Sequence, residues 1–287
     1  MKTSIISLVF LLFALTSFGQ NESFDYFGFS SPGNTIELFA PDIVSLENLR
    51  EKSLAISPLG DEVFFASGIW PNSRLMHVKK NGSEWSNPQL ATFCMDCFAT
   101  EPAFSPDGKY LYFSSSKGME DIRQYCIWRV EKEGDKWVNP KKVIDIDEPY
   151  IWEFHPSITN EGTVYFCFWD SKINEGLIYK SEYLDDIYSE PEEVAVPFER
   201  GCSVTDPFVD PAGRFLLVSA ETGNNETGYD TFISYRDGGR WSEPISFGDR
   251  YNTSGDDDSF DISPDGKFIF IYKEENVYWS ETKGIIK

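Results

Sequence analysis

The chain has 287 residues, with 47 Asp+Glu against 25 Lys+Arg and a formal net charge of −22. That acidity excludes phosphate-backbone binding, which needs clustered cations, and docking on anionic lipid. Hydrophobic residues at 41% suffice for a core, and an aromatic content of 16%, led by 24 Phe and 14 Tyr, tilts the expectation to an all-β fold. Met1-Lys2 is followed by an apolar run from Ile5 to Leu15, and then by Ser17 and Gly19. The run is short for a membrane span, and the small residues suit a signal peptidase cutting before Gln20. Residues 1–19 are therefore expected to be a signal peptide and 20–33 a linker. The mature protein is expected in the periplasm or medium, without membrane insertion and as a monomer.

Residues 34–287 are read as one repeat domain. Ala103-Phe104-Ser105-Pro106-Asp107-Gly108-Lys109-Tyr110-Leu111-Tyr112-Phe113 is strand, tight turn, strand, and Asp261-Ile262-Ser263-Pro264-Asp265-Gly266-Lys267-Phe268 repeats it. Looser copies sit at Ala55–Gly60, Ser157–Gly162 and Phe208–Gly213. Pro presets φ for such a turn and Gly supplies the positive φ that ends it. A second mark recurs in step: Trp85, Trp137, Tyr188 and Trp241, spaced by 52, 51 and 53, each have Pro three residues later and a large apolar residue nine earlier. Each unit then holds four strands, A to D from the inside out, as propeller blades do. The fifth unit reaches strand C at Val277-Tyr278-Trp279 and has no strand D of its own. An orphan strand, Thr35 to Val44, precedes the first strand A and carries Leu38 three residues before Pro41. It is expected to complete the last blade and close a five-bladed propeller, leaving no long exposed edge.

The stretches Asp230–Pro244 and Asn252–Asp257, the latter leading to Ser263-Pro264-Asp265-Gly266, resemble the bacterial TolB-like, or PD40 (WD40-like), propeller repeat. The resemblance implies an exported propeller serving as a binding or interaction module, with no catalytic residue of its own. The Ser-Pro-Asp-Gly turn is intact in two of the five units.

Strands alternate in direction, so the D-to-A linkers and B–C loops share one face, and function on a rigid scaffold favours such irregular loops. The residue expected to open strand A differs between blades: Ser53, Glu101, His155, Asp206 and Ser259. Their neighbours add Glu51, Lys52, Glu153, Asp257 and Asp258, making an acidic ring with one His at a funnel mouth. The alternative role for these groups is to cap strand ends. Trp70, Trp152 and Trp169 lie off the repeat, on mouth-side loops or linkers, as does Arg123 in the loop Ser116–Gln124. The aromatics suit stacking on a sugar or peptide, or plugging the blade tops. The candidate ligand-binding set is thus Lys52, Trp70, Glu101, Arg123, Trp152, Glu153, His155, Trp169, Asp206, Asp257 and Asp258.

Two histidines, His77 and His155, exclude a multi-His metal centre, and no dinucleotide loop, Walker loop or nucleophile elbow occurs. No cofactor is expected. Of five cysteines, Cys94 and Cys97 share one linker and can pair, while Cys126 and Cys167 read as buried thiols. The expected function is a non-enzymatic module holding a glycan, peptide or protein at the mouth. The alternative is a glycan-processing hydrolase drawing carboxylates from Glu101, Asp206, Asp257 and Asp258.

Overall fold

The computed structural model describes residues 26–286 apart from 48, 119–123, 145, 147, 149, 200 and 222–227. The expected signal peptide, the start of the linker after it and Arg123 therefore lie outside the described residues. The protein is all-β, with five antiparallel sheets arranged radially as propeller blades. In blade 1, A is Glu51–Ile56, B Glu62–Ser67 and C Arg74–Asn81, with D split into Glu84–Trp85 and Gln89–Leu90. Blade 2 runs Ala99–Phe104, Tyr110–Ser115, Cys126–Glu133 and Lys136–Ile144. Blade 3 runs Ile151–Ile158, Val164–Asp170, Glu175–Ser181 and Glu192–Glu193, with an outer hairpin of Tyr183–Leu184 on Ile187–Tyr188. Blade 4 is Ser203–Val209, Phe215–Glu221, Asp230–Asp237, and Arg240–Trp241 with Ile245–Ser246. Blade 5 is Phe260–Ile262, Phe268–Lys273 and Asn276–Glu281, and its outer strand is Glu37–Leu38 from the other end of the chain.

Closure works as expected, but through a shorter strand than Thr35–Val44. Glu37 pairs with Trp279 and Leu38 with Tyr278, and the Phe39 N–H donates to the Val277 carbonyl at 2.8 Å. Register also corrects the reading of Leu38 as the counterpart of the blade tryptophans. Trp85, Trp137, Tyr188 and Trp241 pair with Lys80, Lys132, Tyr183 and Arg236, whereas the residues five further on return to the C-strand row of Met76, Trp128, Tyr179 and Phe232. Leu38, facing Tyr278, belongs with this second set. The closing grip comes instead from Phe39, 0% exposed, with ring centroids 4.9 Å from Phe270 and 5.1 Å from Trp279. It seals one core cluster shared by blades 5 and 1.

The A–B turns obey one design whether or not Ser-Pro-Asp-Gly is complete. The Ser105 hydroxyl donates to Asp107 at 2.7 Å and accepts the Tyr110 N–H at 2.9 Å, while the Gly108 N–H closes the turn on the Ser105 carbonyl at 2.8 Å. Ser263, Asp265, Gly266 and Phe268 repeat it, and Gly60, Gly162 and Gly213 close on Ser57, Thr159 and Asp210. Gly108 sits at φ +70°, which is what calls for glycine there, and a Cβ would stand in ordinary contact with Pro58 of the neighbouring blade, 3.6 Å away. Cys94 and Cys97, which the sequence leaves free to pair, form a disulfide in the linker between blades 1 and 2, and Cys126 and Cys167 are the buried thiols expected.

Candidate functional site at the mouth of the central cavity

The inner strands share one backbone irregularity. Ser53, Glu101, His155, Asp206 and Ser259, none of them glycine, have φ of +46°, +53°, +56°, +50° and +59°. In blades 1 to 4 the A–B register slips at this point, between Lys52 and Leu54, Thr100 and Ala103, Phe154 and Ser157, and Thr205 and Phe208. These residues thus form bulges inside strand A in four blades rather than opening it, and only Ser259 precedes its strand. A left-handed non-glycine residue costs about 1–3 kcal/mol, so five in register need compensation.

The compensation is a girdle that runs from blade to blade. The Ser53 hydroxyl accepts the Glu101 N–H at 3.0 Å, and the Glu101 carboxylate accepts the His155 N–H at 2.8 Å. His155 Nδ1 lies 3.1 Å from Asp206 Oδ1, and Asp206 takes the Thr205 hydroxyl at 3.0 Å. Between blades 5 and 1, the Tyr272 hydroxyl accepts the Leu54 N–H at 2.6 Å and donates to Asp261 at 2.6 Å. His155 and Asp206 are only 4% and 7% exposed. Burial alone would lower the His155 pKa, but Asp206 beside it, with Glu101 and Asp261, lifts it to about 9. Burial pushes the Glu101 and Asp261 carboxyls up, with the charge of His155 pulling the other way.

The girdle divides the centre of the ring. On the side of the A–B turns a cavity of about 500 Å³ is lined by Ile56, Phe104, Ile158, Val209 and Ile262 with the turn prolines. On the loop side a larger cavity of about 830 Å³ opens at the expected mouth. Of the candidate residues, Lys52, Trp70, Glu101, Trp169, Asp206 and Asp258 line it. Trp70 stands at its rim, 51% exposed, beside Ile69 at 51%.

Of the remaining described candidates, Glu153 and Asp257 follow the strand-capping alternative. Glu153 is buried and accepts the Ile146 N–H of its own linker at 2.7 Å. Asp257 is buried and bonds the N–H and hydroxyl of Thr253 in the linker before blade 5. His155 belongs to the girdle. Trp152 is half-buried and packs on Tyr125 at 5.6 Å, with Trp169 opposite it in the strand pair.

Several lining residues escaped the sequence reading: Phe98, Tyr125, Tyr229 and the Tyr272–Glu275 segment. The last is the B–C turn of blade 5, only two residues long, with φ of +52° at Glu274 and +65° at Glu275. Without Gly or Asn, such a hairpin turn leaves little signal.

The mouth acids differ in what they are bonded to. Glu101, Asp206, Asp257 and Asp261 are bonded as above, Glu275 pairs with Arg50 at 2.7 Å, and Glu274 takes the Tyr278 hydroxyl at 3.1 Å. Asp258 receives no hydrogen bond and no ion pair among the described residues. Burial, with Asp206 and Asp256 nearby, raises its pKa to about 7 against the pull of Lys52 and His155. Glu51 is 0% exposed, and burial raises it to about 7 although the Leu46 backbone, its own backbone and the Ser67 hydroxyl lie near enough to draw it down.

No family model matches the sequence, and no curated protein shows significant similarity to it. The fold does have relatives among solved structures. TolB from Acinetobacter baumannii is 14% identical, with a TM-score of 0.53 over 80% of this chain and 53% of that one. A protein of unknown function from Dyadobacter fermentans is 16% identical, with a TM-score of 0.52 over 84% of this chain and 79% of that one. The chain spans about half the length of the TolB structure. At these identities the likeness is one of fold: the propeller and its similarity to TolB stand, while the PD40 repeat family has no family-model match behind it. A gluconolactonase from Xanthomonas campestris, 12% identical over 83% of this chain and 86% of that one, reaches a TM-score of 0.44 and carries no argument.

Proposed function

We propose that the chain is an exported, non-enzymatic binding module that holds its ligand, a glycan, peptide or protein, in the mouth cavity. One observation supports this above the others: a cavity of about 830 Å³ on the irregular face, rimmed by Trp70 and walled by Trp169, whose floor is made of groups bonded to one another. Aromatic walls with a few placed polar groups suit ligand capture. Chemistry at carboxylates instead needs two of them free to face a substrate. Of the four acids that a hydrolase would draw on, Glu101, Asp206 and Asp257 are held by protein donors. No helix among the described residues is long and apolar enough to cross a membrane.

The hydrolase reading keeps one point in its favour, since Asp258 and Glu51, both near pKa 7, share a cavity wall. Glu51, however, has its carboxylate oxygens sealed from solvent. A panel of oligosaccharides and peptides, read by tryptophan fluorescence and by product analysis, separates the two. Binding without turnover that is lost in Trp70→Ala fits the binding module. Turnover abolished by Asp258→Asn with binding retained fits the hydrolase. A ligand that binds Trp70→Ala and Asp258→Asn like wild type rules out the mouth.

A further inference from the structure

Building on the mouth-binding reading, we infer that the ligand is a basic peptide segment, with a lysine ammonium seated on Asp258 and its stem laid along Trp70. The first support is the sorting of carboxylates. Of the acids that line the cavity, Glu101, Asp206, Glu274 and Glu275 each spend their charge on a protein donor, whereas Asp258 receives none among the described residues. Lys52 acts on Asp258 from beyond ion-pair reach, and Asp206 and Asp256 repel its charge. The rim pairs are engaged elsewhere: Arg50 on Glu275, Lys273 over the Tyr278 ring at 5.4 Å, and Glu274 on the Tyr278 hydroxyl. An ammonium arriving there supplies the missing countercharge and hydrogen-bond donors together.

The second support is Glu51. It adds a second carboxyl to the same wall, fully buried and raised by burial to about 7, so an arriving ammonium, unlike a neutral sugar, meets two carboxyls that its charge draws toward the ionised form. The third support is the rim. Ile69 beside Trp70 forms an apolar shelf outside the acid, which matches an aliphatic stem and a neighbouring peptide side chain better than a sugar ring, which would use the indole alone. The net charge of −22 steers basic partners toward the protein.

The test uses the full chain, capped trilysine, its fully Nζ-acetylated form and tetrameric glucosamine, with isothermal calorimetry at pH 6.5 in moderate salt and tryptophan fluorescence alongside. Trilysine is expected to bind about tenfold or more tighter than its acetylated form, and Asp258→Asn to lose about tenfold. Binding should also release protons, seen as a heat that varies with the ionisation enthalpy of the buffer, because the ammonium lowers the pKa of Asp258. Asp107→Asn, in a turn on the opposite face, should bind trilysine within twofold of wild type. Equal affinity for the acetylated peptide, or less than a twofold loss in Asp258→Asn, overturns the inference and reduces trilysine binding to general attraction by an acidic surface. Asp258-dependent binding of the glucosamine tetramer with none of trilysine keeps the cation and overturns the peptide. If the acetylated peptide quenches mouth tryptophans and trilysine does not, the inference fails while the mouth remains a site. If no probe reaches the mouth while a ligand from the wider panel binds elsewhere, the binding reading fails with it.

Discussion

The two ends of the central cavity are built on opposite plans. The lower end is five copies of one turn, in which each Ser, Thr or Asp bonds its own backbone and a Gly closes the loop. The upper end comes from linkers and B–C loops that share no length or sequence, and among the described residues it presents an exposed tryptophan, Trp70, and a carboxyl without a hydrogen bond or ion pair, Asp258. Between them lies the girdle, whose left-handed backbone recurs in all five blades while its side chain is Ser in two of them and Glu, His or Asp in the other three. Repetition therefore supplies the scaffold, and departures from it supply the candidate site. The girdle shows that a departure from the repeat is not enough to mark a ligand group, because Glu101, His155 and Asp206 vary between blades in order to bond one another.

The comparison breaks first at the girdle. His155→Leu removes the cation on which Glu101, Asp206 and Asp261 depend, and should lower the unfolding free energy by about 3–5 kcal/mol in urea melts. A loss below about 1 kcal/mol would show that these acids are not balanced by His155. Closure is expected to be nearly as sensitive. Phe39→Ala vacates a fully buried aromatic site between blades 5 and 1 and should cost about 3–5 kcal/mol. An unchanged melt would mean that the first blade and the last are held together without the N-terminal segment. At the lower end, Gly108→Ala places a Cβ at φ +70° against Pro58 and should lose about 1–2 kcal/mol, with no change in ligand response at the mouth. The smallest effect belongs to the upper rim. Trp70→Ala should shift stability by less than about 0.5 kcal/mol while weakening ligand binding, and a large loss of stability would make Trp70 a packing residue instead.

How far the sequence could be read follows the same division. Turn chemistry and the Trp-to-Pro spacing are local and recur, so blade number, strand order and closure by the N-terminal strand could all be derived. The position of Leu38 in the closing strand could not, because pairing register is set by the facing strand, and Gly33–Ile36 carries no aromatic to mark it. The row Ser53, Glu101, His155, Asp206 and Ser259 was legible as a row, and so was its face. Its left-handed backbone was not, since none of the five is Gly or Asn. Nor could sequence divide the mouth acids. Glu153 and Asp257 look like Asp258 until the linker amides that they accept are located. Trp152 and Trp169 are cross-strand neighbours in register, yet one packs on Tyr125 and the other lines the cavity.

Unfolding free energy as a function of pH tests the girdle and the mouth acids together. His155 is raised from its ordinary 6.5 to about 9, so its contribution is complete below 6.5 and is lost as pH rises through 9. Asp258 and Glu51, raised to about 7, keep protons that the unfolded chain releases near pH 4, so stability also falls as pH climbs from there through 7. Asp107, Asp210 and Asp265, held below their ordinary values by hydrogen bonds and neighbouring cations, withdraw their support only below about pH 4. Urea melts from pH 4 to 9.5 should give a maximum near pH 4–5 and a decline of several kcal/mol toward pH 9, with the alkaline part of the decline missing in His155→Leu. A stability that is flat or rising between pH 5 and 9, or an alkaline limb that His155→Leu leaves unchanged, would contradict the account of a girdle held together by a buried, protonated histidine.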